Sequence, residues 1–343
     1  VNHETGRNLI ATQINDKTRA KNADIVSPFA LAETPRLDPA KFQDPDVTAK
    51  GETRASVYMT GLTTLWINTG TLCNLACASC YIESSPTNDA LVYIRHDEVV
   101  AYLDEIRADN LPTEEIAFTG GEPFMNPDMI AIIETCLERG FKVLVLSNAM
   151  RPMRRHEDAL LAIKAQYGER LTIRVSLDHH SQTVHEGERG ANSWDKAISG
   201  LKWLSDNGFA IAVAGRHLAD ESDADARAGF QALFDRENLR LDTDNIDQFM
   251  QFPEMDDQAD IAEITTACWD ILNVAPDSIM CASSRMVVKH KGADKPTVAA
   301  CTLLPYDPQF DMGQTLKEAS QSVKLNHPHC ARFCVLGGAS CSA

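Results

Sequence analysis

No apolar run in this 343-residue sequence approaches the roughly 18 residues that a membrane-spanning helix needs. A helical membrane protein is therefore excluded. The N-terminus also lacks a basic stretch followed by an apolar one, so the expectation is a cytoplasmic chain without a secretion signal. Positive charge is short: 32 Lys and Arg face 49 Asp and Glu, for a net charge of −17. Nonspecific nucleic-acid binding needs a surface that neutralises phosphates, and this balance works against it. The strongest basic run, residues 150–155, reads as a solvated helix entry. Disorder of the whole chain is excluded in turn, because 44% hydrophobic residues suffice for a sizeable core.

Cysteine, by contrast, is plentiful, with ten residues in close clusters. Without a secretion signal, that spacing fits metal ligation in a reducing compartment better than disulfides. The tightest cluster is Cys73, Cys77 and Cys80, directly after the apolar run 62–68. Three thiolates on one loop can hold three corners of an iron-sulfur cluster and leave its fourth iron open. Taken alone, the same spacing could hold a structural zinc with one distant ligand, or be three core thiols. A second motif, Gly120, Gly121, Glu122 and Pro123, ends another β-like run. A glycine pair lets backbone approach a ligand closely, and a carboxylate beside it can accept from an ammonium group.

Residues 1–56 are polar, with several prolines and no sustained period, and read as an extended or partly ordered N-terminal arm. From residue 57 to 274 short β-like runs alternate with amphipathic helical stretches, which argues for βα units on a parallel sheet. The runs are 63–68, 114–118, 142–147, 172–177, 209–214 and 246–251. Residues 275–343 change texture, with two β-rich runs joined through Gly292 as a hairpin and a cysteine at each end, Cys281 and Cys301. Cys330, Cys334 and Cys341 follow. His327 and His329 could ligate too, but a histidine beside a proline in a loop reads as an exposed polar group. Cys136 and Cys268 sit among apolar residues at helical spacing and read as core thiols.

The C-x3-C-x2-C spacing followed by Tyr81 resembles that of the radical S-adenosylmethionine (radical SAM) enzymes. The Gly-Gly-Glu-Pro motif, the strand ends at 143–148 and 173–178, and the segment 185–190 extend the resemblance. It implies a partial (β/α)6 TIM barrel followed by a small iron-sulfur domain containing a β-hairpin. A [4Fe-4S] cluster on Cys73, Cys77 and Cys80 would bind SAM at its open iron. Gly120, Gly121 and Glu122 would hold the methionine ammonium, Asn148 and Ser176 the ribose or methionine portion, and Arg189 the carboxylate, with Tyr81 over the adenine side. The C-terminal cysteines resemble the auxiliary-cluster domains called SPASM and twitch. A full SPASM pattern has seven cysteines and two clusters, whereas five are present here, so one auxiliary [4Fe-4S] cluster is implied. Cys281, Cys301, Cys330 and Cys334 match a twitch-like set, leaving Cys341 as a spare or a substitute.

The activity implied is that of a radical SAM oxidoreductase. SAM would be cleaved reductively to a 5′-deoxyadenosyl radical, which removes a hydrogen atom from a peptide, a protein side chain or a small metabolite. An electron donor such as flavodoxin or ferredoxin would be a partner. The alternatives are a radical transferase forming a C–C or C–S bond, and a noncatalytic iron-sulfur electron carrier on the same scaffold. The arm is too short and too weakly patterned for the winged-helix peptide-binding domain of some peptide-modifying relatives. Asp178, His179, His180, Tyr306 and Asp307 follow strand or hairpin ends, and none is assigned as acid or base.

Overall fold

A computed structural model describes residues 35–217, 221–253 and 256–338. Six parallel strands stand side by side in chain order: β2 (Thr64–Asn68), β3 (Glu115–Thr119), β4 (Lys142–Ser147), β5 (Leu171–Ser176), β6 (Ala210–Arg216) and β7 (Phe249–Phe252). A short β1 (Ser56–Val57) precedes them. These strands are nearly continuous in apolar residues because both faces of the sheet are covered.

The intervening helices are amphipathic. In α1 (His96–Ala108), Val99, Tyr102, Leu103 and Ile106 form the buried stripe, and the Glu98 carboxylate accepts from the Arg95 N–H to cap the start. In α2 (Met129–Glu138) the stripe is Met129, Ile132, Ile133, Cys136 and Leu137. Then follow α3 (Arg151–Arg154), α4 (Glu157–Tyr167), α5 (Gln182–Arg189), α6 (Trp194–Asp206), α7 (Asp223–Arg236) and the short α8 (Cys268–Leu272).

Strand alternation sorts the core into two clusters. Leu65, Ile67, Ile116, Phe118, Val143 and Val145 pack against the helices. Trp66, Ala117 and Leu144 point the other way and meet the C-terminal residues Ala282, Met286, Val288, Phe333 and Val335. This is the partial-barrel architecture, with the C-terminal segment packed on the face of the sheet opposite the helices.

The hairpin expected through Gly292 is present as β8 (Ser284–Val288) and β9 (Thr297–Ala299), paired antiparallel. Its first strand also pairs in parallel with β2, so one eight-stranded sheet runs β7-β6-β5-β4-β3-β2-β8-β9. Residues 35–55 lie along the segment 258–265 through backbone hydrogen bonds such as Leu37 N–H to Gln258 and Ala55 N–H to Ile264. β1 then pairs antiparallel with β10 (Val323–Lys324). Arg54, fully buried, is anchored by Glu263 at 2.6 Å.

Cys136 is a core thiol, as expected, and burial pushes its pKa up to about 12. Cys268 departs from the core reading: it is half-buried, and its Sγ accepts the Thr265 N–H at 3.3 Å as α8 begins. No helix among the described residues is long and apolar enough to cross a membrane.

Candidate active site and a second cysteine cavity

The loop leaving β2 carries Cys73, Cys77 and Cys80 across the end of β3. Backbone bonds fix it there: Gly121 N–H to Gly70 O at 2.7 Å and Glu122 N–H to Leu72 O at 3.2 Å. A Cβ on Gly121 would lie 2.2 Å from the Leu72 carbonyl oxygen, and one on Gly120 would lie 2.6 Å from that of Gly70. The glycine pair is therefore required by the cysteine loop itself, and φ of +144° at Gly120 is a second demand for glycine.

Every residue carried over from the resemblance to this site, Glu122 excepted, borders one cavity at the C-terminal strand ends. Cys73, Cys77 and Cys80 face Gly120, Gly121, Asn148, Ser176 and Arg189 across it, with Tyr81 also on its wall. Burial pushes the Cys73 thiol up to about 12 and also raises Cys77, against the pull of Arg189. Thiolates here need a cation to compensate them, and a metal cluster meets that need.

Glu122 lies behind the wall, fully buried. Its carboxylate accepts from Ser147 Oγ and Asn148 N–H, each at 2.9 Å, and from Phe124 N–H at 3.2 Å. Burial raises its pKa to about 7, and these three donors oppose the rise. The Asn148 amide donates to Asn74 Oδ1 at 2.9 Å, which ties the end of β4 to the cysteine loop.

Arg189 makes a bidentate pair with Asp178, Nε to Oδ2 at 2.8 Å and Nη2 to Oδ1 at 2.9 Å. Burial opposes charge on both partners, and their mutual attraction outweighs it: Asp178 is held below its usual range and Arg189 above its own. Asp178 borders the cavity too, as do Gly215 and Arg216 from β6, Phe252 and Pro253 at the end of β7, and Leu303 and Phe333 from the C-terminal segment. Sequence reading missed these last six. Their signal was positional, since Gly215, Arg216 and Phe252 end strands as the recognised residues do.

His179 and His180 both turn to Glu221, at 3.2 and 2.8 Å. The Ser181 N–H donates to His179 Nδ1 at 2.8 Å, which puts the neutral ring's proton on Nε2 and makes it a donor to the carboxylate. Tyr306 donates to the Ile82 carbonyl, and Asp307 caps the turn Pro308–Phe310. Neither borders the cavity.

Cys281, Cys301, Cys330 and Cys334 border a second cavity, walled by apolar side chains such as Ile279, Leu304, Phe310 and Leu325. Cys330 and Cys334 ride on a single π-helical turn, Cys330–Val335. Burial raises Cys281 to about 11, with Arg285 opposing, and raises Cys330. Four thiols gathered in an apolar chamber again fit a metal cluster better than free thiols. Cys341 lies outside the described residues. The exposed reading of His327 and His329 is corrected: His329 is buried and on the cavity wall, and His327 is half-buried against Phe310, because the chain folds back over the thiols.

Residues 67–226 match the Radical SAM superfamily. The chain carries a radical SAM domain. The chain is 34% identical over 143 residues to the antilisterial bacteriocin subtilosin biosynthesis protein AlbA of Bacillus subtilis, a match covering 41% of the chain and 30% of that protein. With the mycofactocin maturase MftC of Mycobacterium ulcerans the identity is 26% over 173 residues, covering 49% and 43%. The chain thus spans less than half the length of these curated relatives. Two solved structures share the fold. Streptococcus suis SuiB bound to S-adenosylmethionine gives a TM-score of 0.54 at 11% identity, covering 89% of this chain and 74% of that one. Histidine-tagged anSMEcpe with bound AdoMet gives 0.55 at 14%, covering 75% and 77%.

Proposed function

We propose that this chain is a radical SAM oxidoreductase acting on a peptide, with a [4Fe-4S] cluster and SAM in the first cavity and an auxiliary [4Fe-4S] cluster in the second. The observation that carries the reading is the gathering of Cys73, Cys77 and Cys80 opposite Gly120, Asn148, Ser176 and Arg189 in one cavity at the strand ends. When bound, the cluster and SAM supply one-electron chemistry and a radical that removes a hydrogen atom from substrate.

The chain's own residues orient and shield. In this reading the three thiolates hold three irons, and Gly120 and Gly121 bring backbone up to the methionine end. Glu122, which the resemblance assigns to the ammonium, instead sets the ends of β3 and β4 from behind the wall, through its bonds to Phe124, Ser147 and Asn148. Asn148 and Ser176 meet the ribose or methionine portion, and Tyr81 flanks the adenine. Arg189, its Nε and Nη2 held by Asp178, has Nη1 left for the carboxylate. Leu303, Phe252 and Phe333 exclude water, which suppresses quenching.

Likeness to a bacteriocin biosynthesis protein and a mycofactocin maturase supports a peptide substrate. Four thiols on the second cavity support oxidation, since a cluster with all its irons ligated by protein passes electrons and does not bind substrate. A cytoplasmic setting with flavodoxin or ferredoxin as donor belongs to the same proposal, as does the division into an arm to residue 56, a barrel to 274 and an auxiliary segment beyond.

Anaerobic incubation with SAM and a reductant tests it. The reconstituted protein should release 5′-deoxyadenosine and Cys73→Ala should not, while both keep the iron of the second site. Deoxyadenosine formation surviving in Cys73→Ala would sink the assignment. A substrate peptide lighter by two hydrogens would establish a net two-electron oxidation, and fragmentation of the product would separate a new C=O or C=C bond from an intramolecular C–C or C–S cross-link, which loses the same two hydrogens.

A further inference from the structure

The wall of the second cavity is thiol and hydrocarbon with one exception. Apart from Cys281, Cys301, Cys330 and Cys334, His329 is the only polar side chain among the described residues that borders it. It is nine-tenths buried. Its Nδ1 is buried without a hydrogen-bond partner among the described residues. The residue is also held in place: the backbone N–H of His329 donates to His327 Nδ1 at 3.1 Å, and the two rings pack at an angle with centroids 4.7 Å apart. His327 in turn meets the edge of Phe310, itself on the cavity wall. An orphaned imidazole nitrogen in an apolar chamber carries a desolvation penalty, so a partner that arrives with the occupant would account for its presence.

We propose that His329 is a positioning residue for the second cluster, donating an imidazole N–H to one of its sulfurs and raising its reduction potential. The proposal rests on the reading of this cavity as a [4Fe-4S] site. Four cysteines already satisfy four irons, so the imidazole is left to act on sulfur and not on iron. Reduction adds an electron that is delocalised onto the sulfurs, and an N–H dipole aimed at one of them favours the more negative state. The neighbouring cation, Arg285, is already committed: it donates to the carbonyls of Cys281, Ser284, Ala319 and Gln321. His329 is therefore the side chain whose donor can face the cluster.

The test isolates the second site in a parent in which Cys73, Cys77 and Cys80 are all replaced by Ala, reconstituted anaerobically and titrated electrochemically under EPR. In this parent His329→Leu should keep its iron and become harder to reduce, with a reduction equilibrium roughly tenfold weaker, or about 59 mV for one electron. His329→Gln, which retains an N–H donor, should recover part of the shift. An unchanged potential in His329→Leu at full iron content overturns the proposal. So does an altered EPR line shape or lost iron in both variants, which would make His329 an iron ligand. A parent that binds no iron overturns the cluster reading of the cavity, and this proposal with it.

Discussion

Glu122 is a buried carboxyl whose environment works against its charge, and that gives a pH dependence with a definite sign. Its pKa rises from an ordinary 4.5 to about 7 on folding, chiefly through burial. Between these values the folded chain holds a proton that the unfolded chain has released, so its contribution to stability is lost as pH rises through that window. Glu122→Gln should remove the effect, and thermal unfolding of the two apo proteins at pH 5 and pH 7 reads it. Wild type should lose ground to the variant by a few kcal/mol at most on going to pH 7, by the order of magnitude of such shifts. A gap independent of pH would contradict this. The Asp178 and Arg189 pair has the opposite character, being two charges that justify each other. Asp178→Ala strands a buried guanidinium and should cost about 3–5 kcal/mol in urea unfolding. Adding Arg189→Met should restore much of that, and strict additivity would disprove the coupling. The sequence motifs bring Glu122 and Arg189 to the site. They do not put Ser147 on Glu122 or Asp178 on Arg189, because those contacts depend on which strand ends become neighbours.

At the level of elements, the strands are legible where the apolar run and its borders coincide. The run 142–147 predicts β4, and the strand lies there, closed by Asn148, whose side chain caps Met150 N–H. The run 246–251 predicts β7, which instead begins at Phe249, since residues 245–248 form a turn with Phe249 N–H bonded to Asn245 O, leaving Ile246 70% exposed. Apolar periodicity cannot tell an apolar turn residue from a strand residue. Close approach between elements leaves even less trace. Gly200 sits inside α6, where Ala would ordinarily favour the helix by about 1 kcal/mol. Here an added Cβ would lie 1.8 Å from the Ala149 carbonyl oxygen, on the loop that carries Asn148. Gly200→Ala should therefore destabilise the fold and displace Asn148 from the cavity. Lower Tm together with weaker SAM binding in calorimetry is the expected result, and a higher Tm would show that α6 does not press on that loop.

Across the whole molecule, the change of texture near residue 275 does not coincide with a break in the sheet, because β8 continues it alongside β2. Parallel pairing between strands so far apart in the chain has no local sequence signature, whereas the hairpin turn at Gly292 does. With β8 beside β2, the two cavities share a wall residue: Leu303 borders both. Leu303 thus contributes to the wall of the chamber proposed for SAM and to that of the chamber proposed for the auxiliary cluster. This arrangement fixes an iron count. Two cubanes give about eight irons per chain after anaerobic reconstitution, and replacing Cys73, Cys77 and Cys80 together should leave about four. Cys281, Cys301, Cys330 and Cys334 already share one cavity, so Cys341→Ala should retain all eight, whereas Cys281→Ala or Cys330→Ala should lose or destabilise the second set. Iron assay with EPR on each single variant decides it. Loss of four irons in Cys341→Ala would move that cysteine into the ligand set, and zinc in the second cavity of the reconstituted wild type would remove the auxiliary cluster and leave the barrel site alone.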